Sequence, residues 1–367
     1  MLQNLPQNKI KMKRVKRTKG GSIWQSRHAL LLLYAIGGAF LAGAIILSLH
    51  IWKSGVYAPA VSSTASPMAV FRHPLTGAKI DAPITAPWVY ALMIDNSADA
   101  WPQRGVDQAL LVIETLAEGR IPRLLAFYSS DQTVDMIGPV RSARPYFIDW
   151  ASGLEALYGH VGGSPDALEQ LPARQSWSGG KSSNVFDLNQ FFNGEFYWRS
   201  THRYAPHNVY TSTDLLAKAL KQFVKQNETP SYTFWIFKDD GTVMTQENTD
   251  DVHADFGSPD YLVTWKYDAT TNTYVRYQGG VQMIMEDGAQ ITANNVIVMK
   301  TDMEVIDWVG RREIRTVGTG LAELYQDGTA VAVTWKKERS DAPLKFFVED
   351  GSEASMNIGK TWIEVVE

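Results

Sequence analysis

The sequence predicts an α/β (or α+β) first ectodomain and a smaller all-β second domain, preceded by a single N-terminal transmembrane helix. Three observations carry that expectation. Ala29 to Leu49 (ALLLLYAIGGAFLAGAIILSL) holds no charged residue, and roughly 20 apolar residues are enough for a helix to cross a hydrocarbon core. Between Phe71 and Asn227, short apolar runs alternate with helix-like segments that carry capping residues. From Thr229 onward, two-residue alternation and turn residues take over, the pattern of strands and hairpins. The expected divisions are a basic segment 1–28, a transmembrane helix 29–52, a spacer 53–70, an α/β domain 71–228 and a β-rich domain 229–367.

Lys9, Lys11, Lys13, Arg14, Lys16, Arg17, Lys19 and Arg27 precede the apolar run, and no acid appears before Asp81. By the positive-inside rule the N-terminus is expected in the cytoplasm and everything after about Lys53 outside it. A cleavable signal peptide is the competing reading, since Ala58-Pro59-Ala60 has a small-x-small form; the long apolar run and Pro59 argue against it. The chain has no cysteine, so lipid acylation, disulfides, thiolate metal sites and a cysteine nucleophile are not expected. Residues 1–80 hold 11 of the 35 lysines and arginines and none of the 39 acids, leaving about −15 on the remainder, a poor general partner for nucleic acid. An anion would have to be held by a local cluster.

In the first domain, 88–95, 109–116 and 123–130 read as buried strands. Ser142 is expected to cap a helix over 143–154, followed by a strand over 155–162. A strand, helix and strand in that order predict a right-handed parallel crossover. Ser164-Pro165 supplies an N-cap and a proline at the first helical position, and Asp214 to Gln226 reads as an amphipathic helix with Leu216, Leu220, Phe223 and Val224 on one face. In the second domain, strands flank a turn at 269–272, Asp327-Gly328 marks a hairpin, and TWIEVV ends the chain as a strand.

Polar groups converge between Gly138 and Ser212. Arg141 and Arg144 flank Ser142 near a helix start, and His160 ends a strand beside Gly162 and Gly163 and a second helix N-terminus. Such positions hold ligands in open α/β sheets; helix N-termini and arginine forks suit carboxylate or phosphate. The loop YWRSTHRYAPHNVYTS adds Arg199, His202, His207 and Asn208, with Asn208 expected to orient His207, while Asp95, Asn96, Arg123, Glu114 and Glu118 lie at or near strand ends. One reading is an anion site over Asp95, Asn96, Arg123, Arg141, Ser142, Arg144, His160, Gly162, Gly163, Arg199, His207 and Asn208. A catalytic reading makes His160, His207 and Glu114 or Glu118 proton carriers. Zinc on His160, His202, His207 and Asp95 is a third; the spacing matches no metal motif, and no metal or cofactor is expected. There is no GxSxG elbow, Walker loop or GxGxxG fingerprint.

The strings HPLTG (73–77), MIDN (93–96), PQRG (102–105), IGPVRSARPYF (137–147), HVGGSP (160–165), FYWR (196–199), APHNVYTS (205–212), VTWKYD (263–268), ITANNVIV (291–298) and KTWIEVV (360–366) resemble the bacterial YerB-like putative lipoprotein family, a two-domain family of unknown function (domain of unknown function 3048). The resemblance implies an envelope protein on the outer face of the membrane, with an α/β and then a β-rich domain, and it supplies no reaction. His73 stands where the family more often has asparagine, and the lipid-bearing cysteine is missing. The expected function is that of a membrane-anchored, extracytoplasmic envelope protein, attached through Ala29 to Leu49, that binds an anionic ligand, with a cell-wall component or envelope protein as partner and no nucleic acid. The alternative is a hydrolase or transferase acting on a wall glycan or peptide.

Overall fold

Runs of six or more consecutive buried residues, such as VYALMI (89–94), form strands covered on both faces. In the computed structural model, residues 38–39, 41–50, 71–176, 185–224, 227–239 and 250–367 are described. The chain falls into two units, Met1–Met68 and Ala69–Glu367. The second contains a ten-stranded mixed sheet. Its strands are β1 (Val89–Ile94), β2 (Leu111–Leu116), β3 (Pro122–Ser129), β4 (Ala156–His160) and β5 (Val185–Asn189). A smaller sheet uses β6 (Val252–Asp255), β7 (Leu262–Asp268) and β8 (Thr273–Gln278), after which β9 (Asn295–Lys300), β10 (Gly318–Gln326), β11 (Thr329–Lys337), β12 (Lys345–Phe347) and β13 (Thr361–Val366) return to the large one. Its order is β12-β11-β10-β9-β13-β2-β3-β1-β4-β5.

Each face of that sheet has its own core. Tyr90, Leu92 and Ile94 point to one, where helix α3 (Thr213–Phe223) and the small sheet pack through Leu216, Ala219, Trp265 and Tyr267. Val89, Ala91 and Met93 point to the other, covered by helix α1 (Pro145–Ser152) through Tyr146, Phe147 and Trp150. Helix α2 (Pro165–Ser176) links β4 to β5, which pair in parallel.

The expected fold class is corrected in three respects. Strand is the main regular structure throughout, and β13 joins β2 in parallel register, so the strands after residue 229 continue the sheet begun before it. The strand before α1, β3, is antiparallel to β1, whereas β4 is parallel to β1; α1 therefore spans an antiparallel relation, and the parallel crossover is β4-α2-β5. Among the described residues no helix is long and apolar enough to cross a membrane. Residues 38–39 and 41–50 are helical, and the other positions of the expected 29–52 span, like the 53–70 spacer, lie outside the described residues. The α1 cap position is Arg144, without a side-chain cap bond, in place of Ser142. Ser164 caps as expected, its Oγ accepting from Ala167 N (3.4 Å); Ser212, not singled out in the sequence, caps α3, its Oγ accepting from Leu215 N (3.3 Å). The Asp327-Gly328 turn has positive φ at both residues, 55° and 74°, which the tight twist of a two-residue hairpin requires.

Candidate functional site

Asp95 follows β1 and His160 ends β4, so both sit at the carboxyl ends of parallel neighbours, where α/β sheets place ligands. An extended segment lies beside those ends: Arg141 N donates to Met93 O (2.8 Å), and Ala143 N to Gly162 O (3.0 Å). From it Arg141 and Arg144 enter different clusters. The expected single site is thereby divided.

The first cluster centres on buried Asp95. Its Oδ2 lies 2.7 Å from His207 Nδ1 and 2.9 Å from Arg141 Nε; the Arg141 contact is an ion pair off hydrogen-bond alignment. Asp95 Oδ1 accepts from Ser97 N (3.0 Å). Ser97 Oγ is also 3.2 Å from His207 Nδ1. Serine and aspartate thus share one ring nitrogen, and Nε2 faces Asp99 at 3.9 Å, so there is no relay of the serine-hydrolase kind. Asn208 does not orient the ring: its Oδ1 accepts from Arg199 (2.7 Å), and its Nδ2 faces the carbonyls of Ser200 and Arg203.

The second cluster borders a cleft of about 850 Å³. Glu118 pairs with Arg144 and with Arg123 (3.3 Å), and Arg123 donates to Ser142 O (3.0 Å). Burial, and then the like charge of Arg123, lower the Arg144 pKa, while Glu118 opposes the shift. Arg144, Pro145 and Tyr146 at the start of α1, and Ser164 and Asp166 at the start of α2, form one wall. The other wall comes from residues 306–317 with Ser340 and Asp341. There Arg311 pairs with Asp307 (2.9 Å) and Arg315 with Asp302 (2.6 Å). The Arg312 guanidinium makes no hydrogen bond or ion pair among the described residues, and its Nε is buried. Of the acids in the cleft, Asp149 accepts from Thr316 Oγ1 and Asp341 pairs with Arg339.

Two residues expected to carry protons are closed off. His160 is fully buried, with Nε2 2.7 Å from Asp187 Oδ1 and Nδ1 2.6 Å from Gly162 O; neither nitrogen is open to a ligand. Gly162, at φ 60°, makes the turn that brings its carbonyl to the ring, and Gly162 N donates to Asn189 Oδ1 (3.1 Å). Glu114 is fully buried as well. It pairs with Arg276 (2.6 Å) and accepts from Asn96 Nδ2 (2.9 Å). In the next strand Glu364 stands in register with Glu114, accepts from Trp265 Nε1 (2.8 Å), and has its pKa raised well above the ordinary carboxyl value by burial first and by Glu114 second. Glu118 remains an ion-pair partner at the cleft. His73 bonds Asp131 (2.9 Å), and His202 is exposed; among the described residues no three His, Asp or Glu side chains converge as metal ligands.

Arg312, Arg276 and Glu364 were not among the residues the sequence singled out. Arg276 had a signal: in TYVRYQ it alternates in step with Tyr274 and Gln278, and that face is the buried one. A charged residue on the inward face of a strand requires a buried partner. Arg312 had none, because whether an arginine is paired depends on contacts distant in sequence.

Residues 75–227 match the N-terminal domain, and residues 252–363 the C-terminal domain, of the protein of unknown function family DUF3048. Over 314 residues the chain is 33% identical to the putative lipoprotein YerB of Bacillus subtilis (strain 168), covering 84% of this chain and 88% of that protein. The crystal structure of the YerB protein from Bacillus subtilis superposes with a TM-score of 0.67 at 31% identity, covering 80% of this chain and 96% of that one. With both of the family's domains present in order and this degree of identity to YerB, the chain belongs to the DUF3048 family of proteins of unknown function.

Proposed function

We propose that the protein works on the outer face of a bacterial membrane and binds an anionic envelope ligand in the cleft between Arg144 and Arg312. The observation that carries this is Arg312, a guanidinium without a partner among the described residues in a cleft of about 850 Å³, since arginines left unpaired in a concave site are suited to carboxylate or phosphate. The starts of two helices on the facing wall add partial positive charge. The name of the Bacillus relative, a putative lipoprotein, supports the location. These 367 residues contain no cysteine, so attachment in the manner of a lipoprotein would need a residue this sequence does not supply. Relative to the sequence-based expectation, the ligand site moves away from His160 and His207 and takes half its wall from residues 306–341.

The hydrolase or transferase alternative would rest on His207, whose Nδ1 is held by the buried carboxylate of Asp95. His207 lines neither the Arg144–Arg312 cleft nor the smaller cleft at Trp101, so it cannot act on a ligand bound in either. Binding is the better supported function.

The test is calorimetric titration of the full-length protein with muropeptides, which carry carboxylates, and with pyrophosphate, alongside R312A, and with product masses checked in the same samples. Hydrogen bonds to charged groups contribute about 1.5–3 kcal/mol, so R312A is expected to weaken binding about 10- to 100-fold. Equal affinity in wild type and R312A would move the ligand elsewhere, and a new product mass would establish an enzyme.

A further inference from the structure

A second cleft, of about 250 Å³, opens where the loop Trp101–Gln103 meets the hairpin 278–284. Its lining is Trp101, Pro102, Gln103, Gln278 and Val281 to Ile284, with no charged side chain. Two of these residues leave amide atoms unsatisfied among the described residues. Gln103, fully buried, donates from Nε2 to Asp95 O (3.0 Å) and Asn96 Oδ1 (3.1 Å), while its Oε1 has no partner. Gln278, 6% exposed, accepts at Oε1 from Asn96 Nδ2 (3.1 Å) and Arg276 (2.9 Å), while its Nε2 has no partner. Neither amide can turn over, because a flip would set acceptor against acceptor in one and donor against donor in the other. One acceptor and one donor are therefore held unpaired in residues that line one cleft, an arrangement that buried polar groups rarely keep without a partner. The surround is firm. Trp101 Nε1 donates to Asn96 Oδ1 (2.8 Å), its ring packs edge-on to Tyr261, and Glu286 N donates to Gln103 O (2.9 Å).

We propose that this cleft binds a single neutral sugar residue of the N-acetylhexosamine type. Both unpaired amide atoms have almost no exposed surface of their own, so a ligand reaches them only as the two side chains shift toward the cleft; an acetamido group then supplies an N–H for Gln103 Oε1, a carbonyl for Gln278 Nε2 and a methyl for the apolar wall of Met283 and Ile284. The Trp101 indole offers a flat apolar face to the C–H side of a pyranose ring. The absence of charge in the lining sets this specificity apart from that of the arginine cleft. Sites for drug-sized ligands occupy roughly 300–1,000 Å³, so a cleft below that range holds one ring at a time, free or at the end of a short chain.

The full-length protein is titrated with N-acetylglucosamine and with its neutral trimer, followed by tryptophan fluorescence and saturation-transfer NMR, with N-acetylalanine methylamide as a neutral peptide amide. Two variants accompany it: Gln278→Met removes the donor, and Ile284→Trp fills the cleft from its half-exposed rim without touching the buried network. Saturable binding of both sugars, with transfer strongest at the acetamido methyl and an affinity at least tenfold lower in Ile284→Trp, is the expected result. If Gln278→Met does not fold, Ile284→Trp decides alone. The proposal is overturned by no saturable sugar binding, by tighter binding of the peptide amide, or by unchanged affinity in Ile284→Trp.

Discussion

At the scale of single residues, the buried trio Glu114, Arg276 and Glu364 sets the ionisation of the interior. Two carboxyls in register with one guanidinium between them leave one acid without a full counter-charge, and Glu364 is the one whose pKa rises. The folded protein therefore retains a proton that an unfolded glutamate releases near pH 4.3 (about the free value). That stabilisation is complete below the unfolded value and is lost as pH climbs from there through the raised folded value. Urea unfolding at about pH 5 and pH 8 should show wild type losing stability with rising pH, and Glu364→Gln should flatten that slope. Glu114→Gln is expected to differ, because it strips buried Arg276 of its closest carboxylate, at about 3 kcal/mol or more. Much of this network is not legible in the sequence: Glu114 and Glu118, four positions apart, read there as alternative proton carriers, yet Glu118 pairs with Arg144 and Arg123 while Glu114 pairs with a residue 162 positions away.

Among the elements, those defined by local chemistry were legible and those defined by partners were not. α3 is the clearest case: Ser212 accepts from Leu215 N, Asp214 lies in the first turn and Lys221 in the last, each visible in sequence. Ser212→Ala should cost about 1 kcal/mol in a denaturation midpoint; an unchanged midpoint would mean that packing of Leu216 and Leu220 alone holds the helix start. The Asp327-Gly328 hairpin was equally plain. By contrast, nothing local in 123–130 or 155–162 specifies that β3 runs against β1 while β4 runs with it, because strand direction is settled by which edges are free when the chain returns. Ser142 failed as a cap for a related reason. Arg123 takes its carbonyl and the helix begins at Pro145, so proline at the first helical position outweighed serine three residues earlier.

For the whole molecule, the consequential feature is the position of β13 between β9 and β2. It bonds in parallel on both sides, and Ile363 and Val365 are buried in the same core as Val89 and Met93. Deletion of residues 361–367 should therefore abolish cooperative unfolding and yield insoluble protein, in contrast to a loss confined to the region after residue 229; a soluble, cooperatively folded truncation would show that the preceding half is self-sufficient. The pattern of TWIEVV marks a strand, but it carries no record of its neighbours, so the place of β13 beside β2 is not legible in the sequence. Its placement also governs the order of assembly. Thr115 Oγ1 bonds Val365 O across 250 positions, so during synthesis the slot beside β2 stays empty until almost the whole described chain has been made. Through that interval two open strand edges face each other, vulnerable to pairing with other chains, and a topology so rich in distant contacts folds slowly. β13 thus acts as a keystone, and the nascent chain depends on being kept apart from its neighbours until that strand arrives.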